Sequence, residues 1–271
     1  RALCQVMPDT LLFFERPPVP MGKPPPWSVA AGDPGGVVHA PHWYDGLTLF
    51  TKHFARDLTL DMTTMVPVFG ADAVRACYAA QLCRLRDQLP QLPTLLGEFG
   101  LNFDLDGGAG FHSGDFRDQI DALDGYYAGV EAALISCTQW NYTADNSHTY
   151  GDGWNAEDMS IFCPEERCTP DDIHAGGRAL DAIVRPYLRA AAGEPLHQGY
   201  DLQTRRFELA LRPDRGVTAP SEVFVPLYPY PRGYRFDVQG GTFTTTHRDG
   251  YDVVLLQPGD GDVLLAQIRP A

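Results

Sequence analysis

The segment Gly97-Glu98-Phe99-Gly100 puts a carboxylate at the end of an apolar run and follows it with glycine. A charged side chain entering an apolar strand is costly to desolvate unless a specific partner compensates. The C-terminal ends of strands are also where an α/β barrel gathers its catalytic groups. Glu98 is therefore the first candidate for carboxylate chemistry, set against the plainer reading of a strand-end ion pair with an arginine. A second run, Val37 to Tyr44, ends in Pro41-His42-Trp43-Tyr44-Asp45. Side chains alternate across a strand, so His42 and Tyr44 share one side and bring an imidazole and a phenol together. A lone histidine there is more often structural; its pairing with Tyr44 favours function. A third cluster runs through Thr138-Gln139-Trp140-Asn141-Tyr142, Asp145-Asn146-Ser147-His148 and Gly151-Asp152-Gly153-Trp154-Asn155. Amides and carboxylates suit sugar hydroxyls, and indole suits sugar C–H faces. An ordinary polar loop with aromatic anchors explains that composition equally well.

These groups need elements to position them. Leu11–Phe14, Val37–Tyr44, Thr94–Phe99 and Ala133–Trp140 read as short apolar strands. Ala71–Leu89 carries Val74, Tyr78, Leu82 and Leu85 at helical spacing, and Asp115–Glu131 does the same with Phe116, Ile120, Leu123 and Tyr127. Thr169-Pro170-Asp171-Asp172 resembles a helix start, predicting a third helix to about Val184. Gly100 to Gly114 reads as a long polar loop. Apolar strands interleaved with helices predict an α/β fold whose parallel sheet is buried on both faces. Long loops after strands are usually functional. Beyond Arg185-Pro186 the pattern changes. Arg206–Leu211, Ser221–Val225, Tyr234–Val238, Tyr251–Leu255 and Val263–Ile268 are separated by Gly/Pro/Asp turns, which predicts a small antiparallel β-sandwich. The expected domains are 1–185 and 186–271.

The chain has 271 residues, with 21 Lys and Arg against 35 Asp and Glu, a formal net charge of −14. An apolar share of 44% supports a packed core and argues against disorder. The acidic balance argues against nucleic acid and against an anionic membrane surface, while leaving a neutral glycolipid open. No run reaches the roughly 18 apolar residues of a membrane span. Six cysteines are too few for a disulfide scaffold. Cys77, Cys83 and Cys137 read as buried thiols; Cys163 and Cys168 flank a polar loop that admits a local disulfide. No zinc site is expected, since no second Cys or His pair stands at ligand spacing.

In order, these motifs resemble the C-terminal half of a retaining glycoside hydrolase of family 5, a (β/α)8 TIM barrel. The likeness is to the branch of endoglycoceramidases and of glucosylceramide and steryl-glucoside β-glucosidases. The resemblance matches His42 and Tyr44 to the His-x-Tyr ending the sixth barrel strand, Glu98 to the nucleophile ending the seventh, and Trp140 to the tryptophan ending the eighth. Gln139–Tyr142, Gly151–Asp158 and a β-sandwich beginning near Arg185-Pro186-Tyr187 resemble the same branch. The implied fold is about strands 5–8 of the barrel followed by the sandwich. Glu98 is then the catalytic nucleophile; Tyr44 orients it, His42 holds the sugar or shapes the charge field, and Trp140 forms the floor under the ring. Asn141, Asp145 and Asn155 are candidates for hydroxyl contacts. The substrate is a glycoside or glycolipid, and neither metal nor organic cofactor is needed.

One departure matters. The family's acid/base glutamate follows asparagine in Asn-Glu-Pro at the fourth strand, and no Asn-Glu occurs here. If Leu11–Phe14 is strand five, strands one to four lie before Arg1, and the chain reads as a fragment that is inactive alone. A complete barrel takes about 250 residues, more than the 185 available. Glu15 remains as a strand-end carboxylate, with a substrate or structural role favoured. The alternatives are a non-catalytic carbohydrate- or glycolipid-binding protein, and an unusual complete enzyme whose acid is Glu15 or Asp45. The aromatic stretch Phe224–Tyr230 packs in the sandwich core or, less favoured, touches a lipid surface.

Overall fold

Four parallel strands run side by side in chain order in the first of two compact units, Arg1–Arg178 and Ala179–Ala271. The computed structural model describes residues 6–7, 10–15, 36–169 and 171–271, so Pro170 of the expected helix start lies outside the described residues. Strand β1 (Leu12–Phe14) pairs in parallel with β2 (Val37–His39). The bridges His39↔Thr94 and His42↔Glu98 carry β2 onto β5 (Leu95–Gly100), which pairs with β6 (Ser136–Trp140). The expected burial on both faces holds best in the interior of this sheet. Leu96, Phe99 and Gly100 of β5 are buried, whereas Phe13 of β1 and Ser136 and Thr138 of β6 are exposed. The reason is position: β1 and β6 are the outer strands among the described residues.

The helix Ala71–Asp87 forms where the apolar stripe predicts, burying Val74, Cys77, Tyr78, Gln81 and Leu82 on one face. It packs against the helix Arg117–Ala133. Close approach explains Gly129, where a Cβ would stand 3.0 Å from a Leu82 methyl and 3.3 Å from the Ala79 backbone nitrogen. Between β2 and the first long helix lie a short helix, Gly46–Thr51, and a hairpin of β3 (Leu58–Asp61) and β4 (Val66–Phe69), neither expected from the sequence. Asp61 stabilises that hairpin turn by accepting from the backbone amides of Thr63 and Thr64.

Three expectations are corrected. The stretch Gly100–Gly114 is not all loop: Leu105–Ser113 is helical, with a left-handed kink at Asp106–Gly108. The helix expected from Thr169 to Val184 is only Leu180–Ile183; residues 171–177 form turns stabilised by local bonds such as His174 N to Asp172 Oδ1. Asp171 and Asp172 therefore serve turns, a role these residues fill as readily as a helix start. Cys163 and Cys168 are free thiols rather than a disulfide, while Cys77 is buried and Cys83 and Cys137 are half-buried. Among the described residues no helix is long and apolar enough to cross a membrane.

The second unit contains two four-stranded antiparallel sheets. One has the order β12–β13–β10–β7, from Gly241–His247, Tyr251–Pro258, Ser221–Pro226 and Tyr187–Ala190. The other has the order β11–β14–β9–β8, from Tyr234–Gln239, Leu264–Pro270, Arg206–Pro213 and Gly193–Asp201. Alternation drives their inner faces into one core: Phe207 and Leu209 of β9, Val223 and Val225 of β10, Val254 and Leu256 of β13, Leu264 and Ile268 of β14. Of Phe224–Tyr230, residues Val225, Pro226, Pro229 and Tyr230 are buried and only Leu227 is exposed. The stretch packs inward.

Candidate active site

Beyond His39 the chain stays paired with β5. Pro41 O accepts from Gly97 N (2.9 Å) and Trp43 N donates to Glu98 O (3.0 Å). This register lets successive side chains point to opposite sides. Trp43 turns into the helical layer, edge-on to Tyr78 and Tyr126, and its Nε1 donates to Gln81 Oε1 at 3.3 Å. His42 and Tyr44 turn the other way and meet Glu98. The Tyr44 hydroxyl donates to Glu98 Oε1 at 2.8 Å, and His42 Nδ1 lies 3.5 Å from the same oxygen. The other imidazole nitrogen, Nε2, is 3.4 Å from Glu15 Oε1. One ring thus stands between two carboxylates. His42, Tyr44 and Glu98 are half-buried and Glu15 is exposed, open enough for a ligand to reach.

Electrostatics sharpen the picture. Burial, then the hydrogen bond to Glu98 and its charge, hold the Tyr44 phenol well above the ordinary tyrosine range. It remains a donor at all physiological pH values. Glu157 feels the same neighbourhood: burial raises its carboxyl, and the charges of Asp152 and Glu98 raise it further. Asp152 and Glu98 thus lie within electrostatic reach of Glu157, and Lys52 partly offsets them.

The remaining candidates divide. Trp140 ends β6 opposite Gly100 of β5, two residues past Glu98, and is half-buried. The Trp140–Asn141 peptide is cis. Asn141 is occupied within its own loop: Nδ2 donates to Asp152 Oδ2 at 2.8 Å, and Oδ1 accepts from Thr143 Oγ1 at 2.9 Å. Asn155 is exposed in left-handed backbone, and its side chain hydrogen-bonds Glu157. Asp145 is exposed in a turn. Asp45 is deeply buried and accepts from Thr48 (2.7 Å), Thr59 (2.9 Å), Tyr78 (2.8 Å) and Tyr126 (3.4 Å). It is an internal hub with no opening to a substrate. Asp152 and Glu157 were missed as individual residues, although the segment Gly151–Asp158 carried the signal. Asp152 ties the loop together, accepting also from Met159 N (3.2 Å) and Trp154 N (3.0 Å).

Residues 185–264 match the glycoside hydrolase family 5 C-terminal domain. The chain is 29% identical to a glucosylceramidase of Rhizopus delemar over 219 residues, which cover 72% of this chain and 32% of that protein. It is 25% identical to an ergosteryl-beta-glucosidase of Saccharomyces cerevisiae over 316 aligned positions, covering 90% of this chain and 41% of that protein. The chain thus spans about a third to two fifths of the length of these relatives. In structure, 99% of it superposes on 42% of Cryptococcus neoformans sterylglucosidase 1, with a TM-score of 0.87 and 23% identity, a likeness of fold. Residues 185–264 thus carry the likeness to the glycoside hydrolase family 5 C-terminal domain, and the chain as a whole is similar to part of a glucosylceramidase and of steryl-glucosidases.

Proposed function

We propose that the chain is the C-terminal part of a retaining β-glycosidase, with the four parallel strands acting as strands five to eight of a barrel. The convergence of Tyr44 and His42 on one carboxylate oxygen of Glu98 carries this reading. In a retaining mechanism one carboxylate attacks the anomeric carbon while a second, about 5–5.5 Å away, protonates the leaving oxygen. Glu98 is the nucleophile. Tyr44 donates to the oxygen that does not attack and fixes the carboxylate's rotation. His42, held from behind by Glu15, lines the sugar site. Trp140 supplies the apolar floor, and Glu157 with Asn155 offers hydroxyl contacts at the loop wall. The acid/base carboxyl comes from barrel strands outside the four present here.

The substrate follows from the relatives' names: a glucoside of ceramide or of a sterol. Reconstitution tests the proposal. Residues 1–271 are fused behind the N-terminal part of the Rhizopus glucosylceramidase and assayed on aryl β-glucosides and glucosylceramide. The fusion is expected to hydrolyse with retention of anomeric configuration, and Glu98→Gln to abolish turnover. The chain alone is expected to be at least about 10²-fold slower, the usual value of general acid help. Inversion of configuration, or full activity in Glu98→Gln, overturns the assignment.

A further inference from the structure

We propose that His148, Cys163 and Glu165 form a zinc site that braces the long irregular segment following β6. Their ligand atoms, one per residue, all lie within 4.8 Å of one another. The site needs no residue of the catalytic proposal and stands apart from it.

The histidine makes the argument. Its Nε2 lies 2.9 Å from Glu166 Oε1, and its Nδ1 lies 3.3 Å from Glu165 Oε2. A neutral imidazole has one N–H and satisfies one carboxylate; the other nitrogen then faces an oxygen lone pair to lone pair. Glu165 Oε2 is anchored beside Nδ1 by accepting from the His148 backbone amide at 3.0 Å, and it keeps lone pairs that, with Nδ1, would bridge to a metal. With zinc bonds of about 2.0–2.1 Å, two ligand atoms of a tetrahedron stand about 3.3 Å apart. The Nδ1–Oε2 distance has that value. A buried thiol, Cys163, is the third ligand, and its present partner is only a long contact to Asn146 O at 3.7 Å. Thiolate, imidazole and carboxylate together suit zinc better than calcium or magnesium, which take oxygen ligands.

The surroundings are those of a supported metal ligand. Glu166 holds the outer nitrogen of His148 and is itself held by Arg178 Nε at 2.8 Å. A carboxylate behind a metal-bound histidine fixes its tautomer and orientation. The ring also stacks on Phe111, centroids 4.3 Å apart and nearly coplanar in orientation. Charge points the same way. Arg178 pairs with both Asp158 and Glu166, and Glu165 stands beside His148. Zinc adds two positive charges as Cys163 loses its proton to solvent, so the cluster's negative excess falls by one. The ligands come from both arms of residues 141–179, where regular structure is limited to a short turn at Pro164–Glu166. A cross-link there is the most useful place for one.

The test is zinc titration of the 271-residue chain by calorimetry, with cobalt substitution read by absorption. One equivalent is expected, with the charge-transfer band of a cobalt–thiolate bond. Cys163→Ser is expected to remove the band and His148→Ala to abolish stoichiometric uptake. Glu166→Gln should weaken binding about 10- to 100-fold, and Cys168→Ser should leave it unchanged. If Cys163→Ser fails to fold, the cobalt spectrum of Cys168→Ser, which retains Cys163, decides by the presence or absence of the thiolate band. No stoichiometric uptake, or uptake indifferent to both His148 and Cys163, overturns the site. An imidazolium at His148 without metal uptake does so as well.

Discussion

The hydroxyl of Tyr44 and Oε1 of Glu98 stand 2.8 Å apart although 54 residues separate them in the chain. The backbone creates the meeting, since the His42↔Glu98 bridge sets the register and alternation sends the next-but-one side chain to the same side. A hydrogen bond to an ionised carboxylate contributes about 1.5–3 kcal/mol. In the reconstituted enzyme Tyr44→Phe is therefore expected to lower kcat about 10- to 150-fold. KM should change little, because on the proposed reading the lost contact orients Glu98 rather than binding the sugar. Steady-state kinetics on an aryl glucoside check this, and a change confined to KM contradicts it.

Asp45 carries a different weight. Four hydroxyl groups give to its buried carboxylate, and its removal strands two phenols in a core that cannot hydrate them. Asp45→Ala is expected to destabilise the first unit by about 2–4 kcal/mol, since each unsatisfied buried group costs about 1–3 kcal/mol. Urea unfolding measures it. A loss below about 0.5 kcal/mol, the range of ordinary surface changes, contradicts the hub.

The same phenols make stability fall at high pH. Burial, then the charge of Asp45, raises both Tyr78 and Tyr126 far above the ordinary value of about 10. In the unfolded chain they ionise near that value, so above it the unfolded state binds fewer protons than the folded one. Their contribution is complete below about pH 10 and declines as pH rises beyond it. Denaturation midpoints from about pH 8 to 11 should be flat at first and then drop. A midpoint that rises across that range contradicts the linkage.

How much of this was legible depends on the range of the signal. The four parallel strands, the two long helices and the five recognised sandwich strands announce themselves by local pattern, whereas the β3–β4 hairpin does not. The convergence of His42, Tyr44 and Glu98 also follows from strand alternation, once the strands are neighbours. What escaped is non-local or weakly patterned. β8 (Gly193–Asp201) mixes Gly, Pro, His and Gln and is a strand only because β9 pairs with it along eight positions. Asp171 and Asp172 fit a turn or a helix start equally well, and in the fold they serve turns. His148, Cys163 and Glu165 share no short motif; chain folding brings them together. Glu157 shows its environment only when Asp152 and Glu98 stand beside it.

Gly100 tests the link between β5 and the tryptophan. A Cβ there would lie 2.3 Å from the carbonyl oxygen of Trp140, a backbone atom that cannot step aside alone. Gly100→Ala must push the end of β6 away. The expected cost is about 1–3 kcal/mol, typical of overpacking, together with a shifted Trp140 environment. Tryptophan fluorescence and urea unfolding, compared with Trp140→Phe for assignment, measure both. An unchanged spectrum at unchanged stability would show that the two strands are not locked together.

The sandwich provides the last prediction. Its eleven-residue core is drawn wholly from Ala179–Ala271, and both sheets are completed by strands of that segment. Every residue of that core cluster belongs to this segment, so residues 179–271 are expected to fold alone with one cooperative transition. Leu256 is fully buried there, in the strand β13 that pairs on both sides with β10 and β12. Leu256→Ala removes its methyl groups from a packed interior and should cost about 2–5 kcal/mol. Thermal unfolding followed by circular dichroism reads the transition, and urea titration reads the loss. If the isolated segment lacks a cooperative transition while the 271-residue chain unfolds cooperatively, the sandwich owes its stability to residues outside its own core.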